Sequence, residues 1–201
     1  MPELTDEEFE ALYGRWQPPA LDELADLLGP VRWWVAGGWA LELFSGVPRP
    51  HEDVDVGIPR SELRGLVARL SHLHLWTAQD GALRPLRWFD ELPAEYEQLW
   101  ARRNAQSPWL LDLLLTPVVE DEWVFKRDPR LRLPMHRAVR TTRGIPHLAP
   151  EVALLHKAHL RRPKDERDLD VVLPLLDDEA RRWLRDALAL TVPDSPWGSR
   201  V

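Results

Sequence analysis

Val35-Ala36-Gly37-Gly38-Trp39-Ala40-Leu41-Glu42-Leu43-Phe44, and shortly after it Arg49-Pro50-His51-Glu52-Asp53-Val54-Asp55-Val56, spell a strand, a glycine turn, a helix and a second strand. Residues 31–36 are apolar, few, and rich in Val and Trp, which predicts a buried strand ending at the glycine pair. Gly37 and Gly38 let the backbone turn sharply and approach a ligand, and Trp39 to Phe44 continues with good helix formers. A helix N-terminus placed there directs unpaired N–H groups and the positive end of the helix dipole at whatever lies over the turn, a setting that favours phosphate.

Asp53 and Asp55 lie in an alternating segment that runs on to Ile58, so on a strand both carboxylates leave one face while Val54 and Val56 turn to the core. Two carboxylates side by side repel unless a cation sits between them, and Mg²⁺ with substrate phosphates satisfies that arrangement. Arg49 and His51 stand in a proline-bounded loop just ahead of the pair, beside the expected phosphate site.

A chain of 201 residues can bury a proper core, and it predicts a catalytic core over residues 1–145 with a helical segment, 146–201, packed on it. The lack of cysteine excludes disulfides and thiolate metal sites and fits a reducing cytoplasm. The acidic start Met1 to Glu8 has neither a basic region nor an apolar core, so no signal peptide is expected, and no apolar run approaches a membrane span. The net charge of −7 disfavours non-specific nucleic-acid binding and favours a cationic small molecule. Of the eleven tryptophans most are expected to fill the core and a minority to line a substrate cleft.

Outward from the opening stretch, short helices are expected from Thr5 to Tyr13 and from Leu21 to Leu28, the second stopped by Gly29-Pro30. Ser61 to Leu70 carries Leu63, Leu66, Val67 and Leu70 at helical spacing. His74 to Thr77 and Leu83 to Trp88 read as a hairpin about Asp80-Gly81, and Glu91 to Arg103 as a loop or short helix. Trp109 to Leu115, bounded by prolines, reads as a central strand, Trp123 to Phe125 as an edge strand and Asp128 to Pro134 as a loop. Helices follow from Pro150 to Leu160, Asp165 to Leu176 and Asp178 to Leu190, and a loose tail from Val192.

Asp112 stands inside the apolar strand, where an ionised carboxylate costs on the order of several kcal/mol unless something compensates it, so a functional role is expected. Asp80, Asp90 and Glu91 sit in turn-like sequence and are poorer candidates. Lys157, read from its residues alone, is a solvated lysine on a helix. Asp165 reads first as a helix cap. His136, His147, His156 and His159 have no metal-binding spacing, and no nucleophile motif is present.

The glycine pair, the helix and the Asp-x-Asp strand together resemble the nucleotidyltransferase superfamily. Ala36-Gly37-Gly38-Trp39-Ala40-Leu41 with His51-Glu52-Asp53-Val54-Asp55 is most similar to its aminoglycoside 2″-adenylyltransferase and lincosamide nucleotidyltransferase branch. The resemblance implies an α+β fold, a polymerase-β-like mixed sheet flanked by helices, with C-terminal helices. It also implies catalytic and metal-holding carboxylates at Asp53, Asp55 and Asp112, the last being the third acid on a later strand. Gly37, Gly38, Trp39, Arg49, His51 and Lys157 would bind the nucleotide. Lys157 enters through a Pro-Glu…Leu-Leu-x-Lys helix, and Lys164-Asp165 with Asp168 fits a Lys-Asp-x-x-Asp run common after it. Trp39 replaces the serine that many members carry, a departure shared with the aminoglycoside branch. The implied reaction moves a nucleoside monophosphate, AMP from ATP or another nucleoside triphosphate, to a hydroxyl of an aminoglycoside- or lincosamide-like molecule, with two Mg²⁺ ions and release of pyrophosphate. The alternatives are a toxin-type enzyme modifying tRNA or protein, and a degenerate nucleotide-binding protein.

Overall fold

The computed structural model describes residues 6–87 and 92–201. In chain order they form α1 (Asp6–Tyr13), α2 (Leu24–Leu28), β1 (Trp34–Val35), α3 (Gly37–Ser45), β2 (Asp55–Pro59), α4 (Leu63–Arg69), β3 (His74–Gln79), β4 (Ala82–Pro85), β5 (Gln98–Arg102) and β6 (Trp109–Thr116). There follow β7 (Val118–Val119), β8 (Glu122–Val124), β9 (Arg132–Pro134), α5 (Met135–Ala138), β10 (Val139–Thr142), β11 (Ile145–Leu148), α6 (Pro150–Lys157), α7 (Pro163–Val172) and α8 (Asp178–Thr191). The contacts divide the chain into two compact units, Met1–Trp33 with Glu52–Thr116, and Trp34–His51 with Pro117–Val201. The C-terminal helices share a unit with β1 and α3.

The first unit is built on a mixed sheet in the order β2-β6-β5-β3-β4, with β2 and β6 parallel and the other pairs antiparallel. Leu111, Leu113 and Leu115 alternate along β6 and are buried with Val56, Ile58, Leu75 and Leu99, which fixes the register because a one-residue slip would expose the whole set. Asp80 and Gly81 both have positive φ, as a two-residue hairpin turn with the sheet's own twist requires. Thr5, the expected helix cap, and Trp88, the expected strand end, lie outside the described residues. Gln98 to Arg102 is a strand between β3 and β6, where a loop or helix was expected. Its middle residues Leu99, Trp100 and Ala101 are buried on both faces, so it shows no alternation to read.

In the second unit β1 pairs in parallel with β11 through Val35 and His147, and β11 pairs with β10 about the positive-φ residues Arg143 and Gly144. That hairpin was not expected. Trp123 belongs to the middle strand of β7-β8-β9 and not to an edge, and the end of the expected 128–134 loop is β9. The tail is pinned: Trp197 is fully buried, its indole Nε1 donates to Glu166 Oε1 at 2.8 Å, and Arg200 Nη1 donates to Glu166 Oε2 at 2.8 Å.

His156 packs edge-on to Phe125 with ring centroids 5.2 Å apart and to Trp123 at 5.9 Å. Burial, aided by Arg127 and Lys126, pushes its pKa down to about 3. Between about 6.5 in the unfolded chain and about 3 in the folded one, only the unfolded chain holds this proton, so stability drops as pH falls through that window. His156→Phe is therefore expected to flatten the dependence of melting temperature on pH below 6.5. Parallel profiles for the variant and the parent would contradict the assignment.

Candidate active site

Asp55 opens β2 and lies opposite Asp112 in the parallel register with β6, and Asp53 precedes Asp55 by one pleat repeat. Val54 and Val56 are fully buried, and Val54 O accepts the Asp112 amide at 3.1 Å, so the backbone fixes the carboxylates on one face. One oxygen from each of Asp53, Asp55 and Asp112 lies within 4.8 Å of the others, and among the described residues this is the group of acids and histidines with metal-holding geometry.

Asp112 is only 5% exposed. Its Oδ2 accepts a hydrogen bond from Gln98 Nε2 at 2.5 Å, while Oδ1 is buried without a hydrogen-bond partner. Burial first, then the charge of Asp55, raise this carboxyl well above the usual range, with the Gln98 bond pulling the other way. A buried acceptor without a partner costs about 1–3 kcal/mol, and a cation set among the acids removes both that cost and their mutual repulsion. Three hard oxygen donors fit a divalent ion such as Mg²⁺.

In the second unit α3 takes up both glycines instead of starting at Trp39. Ala36 is extended and Gly37 has φ +58°, which a side chain at that position would oppose. At Gly38 an added Cβ would lie 1.7 Å from Arg49 Nη2, so the missing side chain makes room for a guanidinium at the start of the helix. Arg49 is held there by Asp168, Nε to Oδ1 at 3.0 Å and Nη2 to Oδ2 at 3.3 Å, and its Nη1 donates to Pro50 O at 2.8 Å.

Glu42, on the same helix, accepts the Arg49 amide at 3.0 Å and pairs with His51 Nε2 at 2.8 Å. The His51 ring stacks on Trp39 with centroids 3.8 Å apart, and burial outweighs Glu42 in lowering its pKa. The structure thus gathers Gly37, Gly38, Trp39, Arg49 and His51 about one helix end.

Lys157 is not solvated. Its Nζ lies 2.9 Å from Asp165 Oδ1 and 2.9 Å from Asp168 Oδ2, and all three residues are buried. Asp165 sits in the third position of α7, and its Oδ2 accepts the Arg162 amide at 3.0 Å, so it caps the helix from inside its first turn and not from the N-cap position expected. Burial works to raise the Asp165 carboxyl, but hydrogen bonds from Arg162 and Lys157 together hold it below its usual range. Glu42 and Gln98 were not found from sequence. Glu42 follows Trp39 by three residues, one helical turn, which signals a shared face; Gln98 carried no signal because its strand was unread.

No family model and no curated protein sequence matches the chain. Solved structures do. The lincomycin-bound crystal structure of the lincosamide antibiotic adenylyltransferase LnuA matches with TM-score 0.54 at 15% identity, over 81% of this chain and 99% of that one. The solution structure of the antibiotic-resistance factor ANT(2″)-Ia matches with TM-score 0.52 at 18% identity, covering 84% and 86%. The crystal structure of ANT(2″)-Ia in complex with adenylyl-2″-tobramycin gives 0.51 at 15%, covering 84% and 93%. The expected α+β fold, mixed sheet flanked by helices, is the one these structures share.

Proposed function

We propose that this chain, which has the fold of antibiotic adenylyltransferases, carries out Mg²⁺-dependent transfer of a nucleoside monophosphate, AMP from ATP, to a hydroxyl of an aminoglycoside- or lincosamide-like molecule. The observation that carries this reading is the convergence of Asp53, Asp55 and Asp112, with the buried Asp112 Oδ1 lacking a hydrogen-bond partner from the protein. These carboxylates would hold the metal, with two ions expected. Bound Mg²⁺ supplies charge neutralisation of the triphosphate and of the developing negative charge at the reacting phosphoryl group.

Asp112 is proposed to take the proton of the acceptor hydroxyl. The hydroxyl oxygen forms a bond to the α-phosphorus as the bond to the pyrophosphate oxygen breaks in line. The N-terminal amides of α3 at Gly37, Gly38 and Trp39, with Arg49 and His51, are proposed to bind phosphate. Lys157 supports them by neutralising Asp168, the residue that holds Arg49. The net charge of −7 suits a cationic acceptor. Among the described residues no helix is long and apolar enough to cross a membrane, and a cytoplasmic setting with ready nucleoside triphosphate goes with the chemistry.

Pyrophosphate release from ATP, followed against a panel of aminoglycosides, lincosamides and tRNA, tests the reading. Release is expected with a member of the first two classes, to require Mg²⁺, and to be lost in Asp53→Asn with the melting curve intact. Release confined to tRNA, or full activity in Asp53→Asn, would overturn it.

A further inference from the structure

Asp112 has two oxygens in different circumstances, and a residue outside the carboxylate group creates the difference. Gln98 opens β5, faces Leu114 in the β5–β6 register, and stands two residues from Trp100, which faces Asp112 itself. The two-residue spacing puts Gln98, Trp100 and Asp112 on one face of the sheet. From there the Gln98 amide reaches sideways to Asp112 Oδ2 at 2.5 Å. With Asp112 only 5% exposed, solvent cannot take the amide's place. The other oxygen, Oδ1, has no partner at hydrogen-bond geometry, and the buried indole of Trp100 in the facing position stands close enough to favour the ionised carboxylate without reaching that geometry.

We propose that Gln98 is a positioning residue: by tying Oδ2 it fixes the plane of the Asp112 carboxylate and commits Oδ1 to the divalent cation and the acceptor hydroxyl. The assignment rests on the metal reading above and extends it to a neutral side chain on a different strand. A glutamine suits the task because its amide donates without adding a charge that would compete with the cation for the carboxylate. Without that bond the carboxylate turns about its χ2 bond, and the geometry at the cation is lost while Asp53 and Asp55 stay in place.

The test compares the parent chain with Gln98→Met, which keeps shape and length but has no donor, and Gln98→Asn, whose amide is one methylene too short. Mn²⁺ affinity of the nucleotide-free protein is measured by calorimetry well below the melting midpoints, beside kcat and KM for ATP. Loss of an outer hydrogen bond to a ligand is expected to weaken Mn²⁺ binding roughly 10- to 100-fold in each variant, and to lower kcat with KM for ATP changed by less than about twofold. Should one variant fail to fold, the other decides. A loss of Mn²⁺ affinity below tenfold, in a chain where Asp53→Asn abolishes binding, overturns the role of Gln98 and leaves the metal site standing. Absence of Mn²⁺ binding by the parent chain overturns both.

Discussion

Asp112→Asn is expected to raise the melting temperature of the metal-free protein while removing transfer activity. The parent chain keeps a buried carboxylate beside two others, with one oxygen unpaired. Asparagine keeps an oxygen for the Gln98 amide and offers N–H donors toward Asp53 and Asp55 in place of a like charge, which is worth about 1–3 kcal/mol. The folded Asp112 binds its proton more tightly than the unfolded one, because burial and then Asp55 raise its pKa. Stability without metal therefore falls as pH rises above the ordinary carboxylate range, and the asparagine variant lacks that slope. Activity should fall about 10³-fold or more, roughly 4 kcal/mol, the scale of the charge stabilisation a bound metal supplies. Thermal melts with and without Mg²⁺, beside the pyrophosphate assay, check both halves. A lower melting temperature without metal, or activity within tenfold of the parent, would contradict the assignment.

Lys157→Met acts in the opposite sense on stability. Asp165 and Asp168 are both buried, and Nζ lies 2.9 Å from each. Removing a buried partner charge costs about 3–5 kcal/mol, and the lower end applies here because Arg162 remains for Asp165 and Arg49 for Asp168. The midpoint of urea unfolding should drop accordingly, and adding Asp168→Asn should recover part of the loss, since the two changes share one network. A drop of under about 1 kcal/mol would show that the lysine is not needed to neutralise the pair. Lost activity in this variant would by itself say little about phosphate contact, because the same ion pairs hold Arg49.

What could be read from sequence follows from which signals are local. The alternation of Asp53 to Val56 and the apolar run around Asp112 gave the strands that carry the acids, because burial on a sheet face leaves a period of two. The register that sets Asp55 beside Asp112 is a long-range fact, and the resemblance alone anticipated it. Gln98 to Arg102 escaped because a short strand buried on both faces has neither period nor length. The β10–β11 hairpin turns on Arg143-Gly144, a weaker signal than the Asp80-Gly81 pair that was read. The glycine pair was read as a turn ahead of the helix, whereas α3 begins at Gly37 and the missing side chain of Gly38 makes room for Arg49. Lys157 reads as solvated from its residues alone, and as a nucleotide contact through the resemblance, because its buried partners lie on the next helix; the tail reads as loose because composition does not show that Trp197 has a pocket to fill.

Anomalous diffraction from crystals soaked in Mn²⁺ tests the central claim most directly. A peak within bonding distance of carboxylate oxygens from Asp53, Asp55 and Asp112, with Asp112 contributing Oδ1, is the expected result. Full Mn²⁺ occupancy elsewhere on the molecule and no peak among these three acids would contradict it.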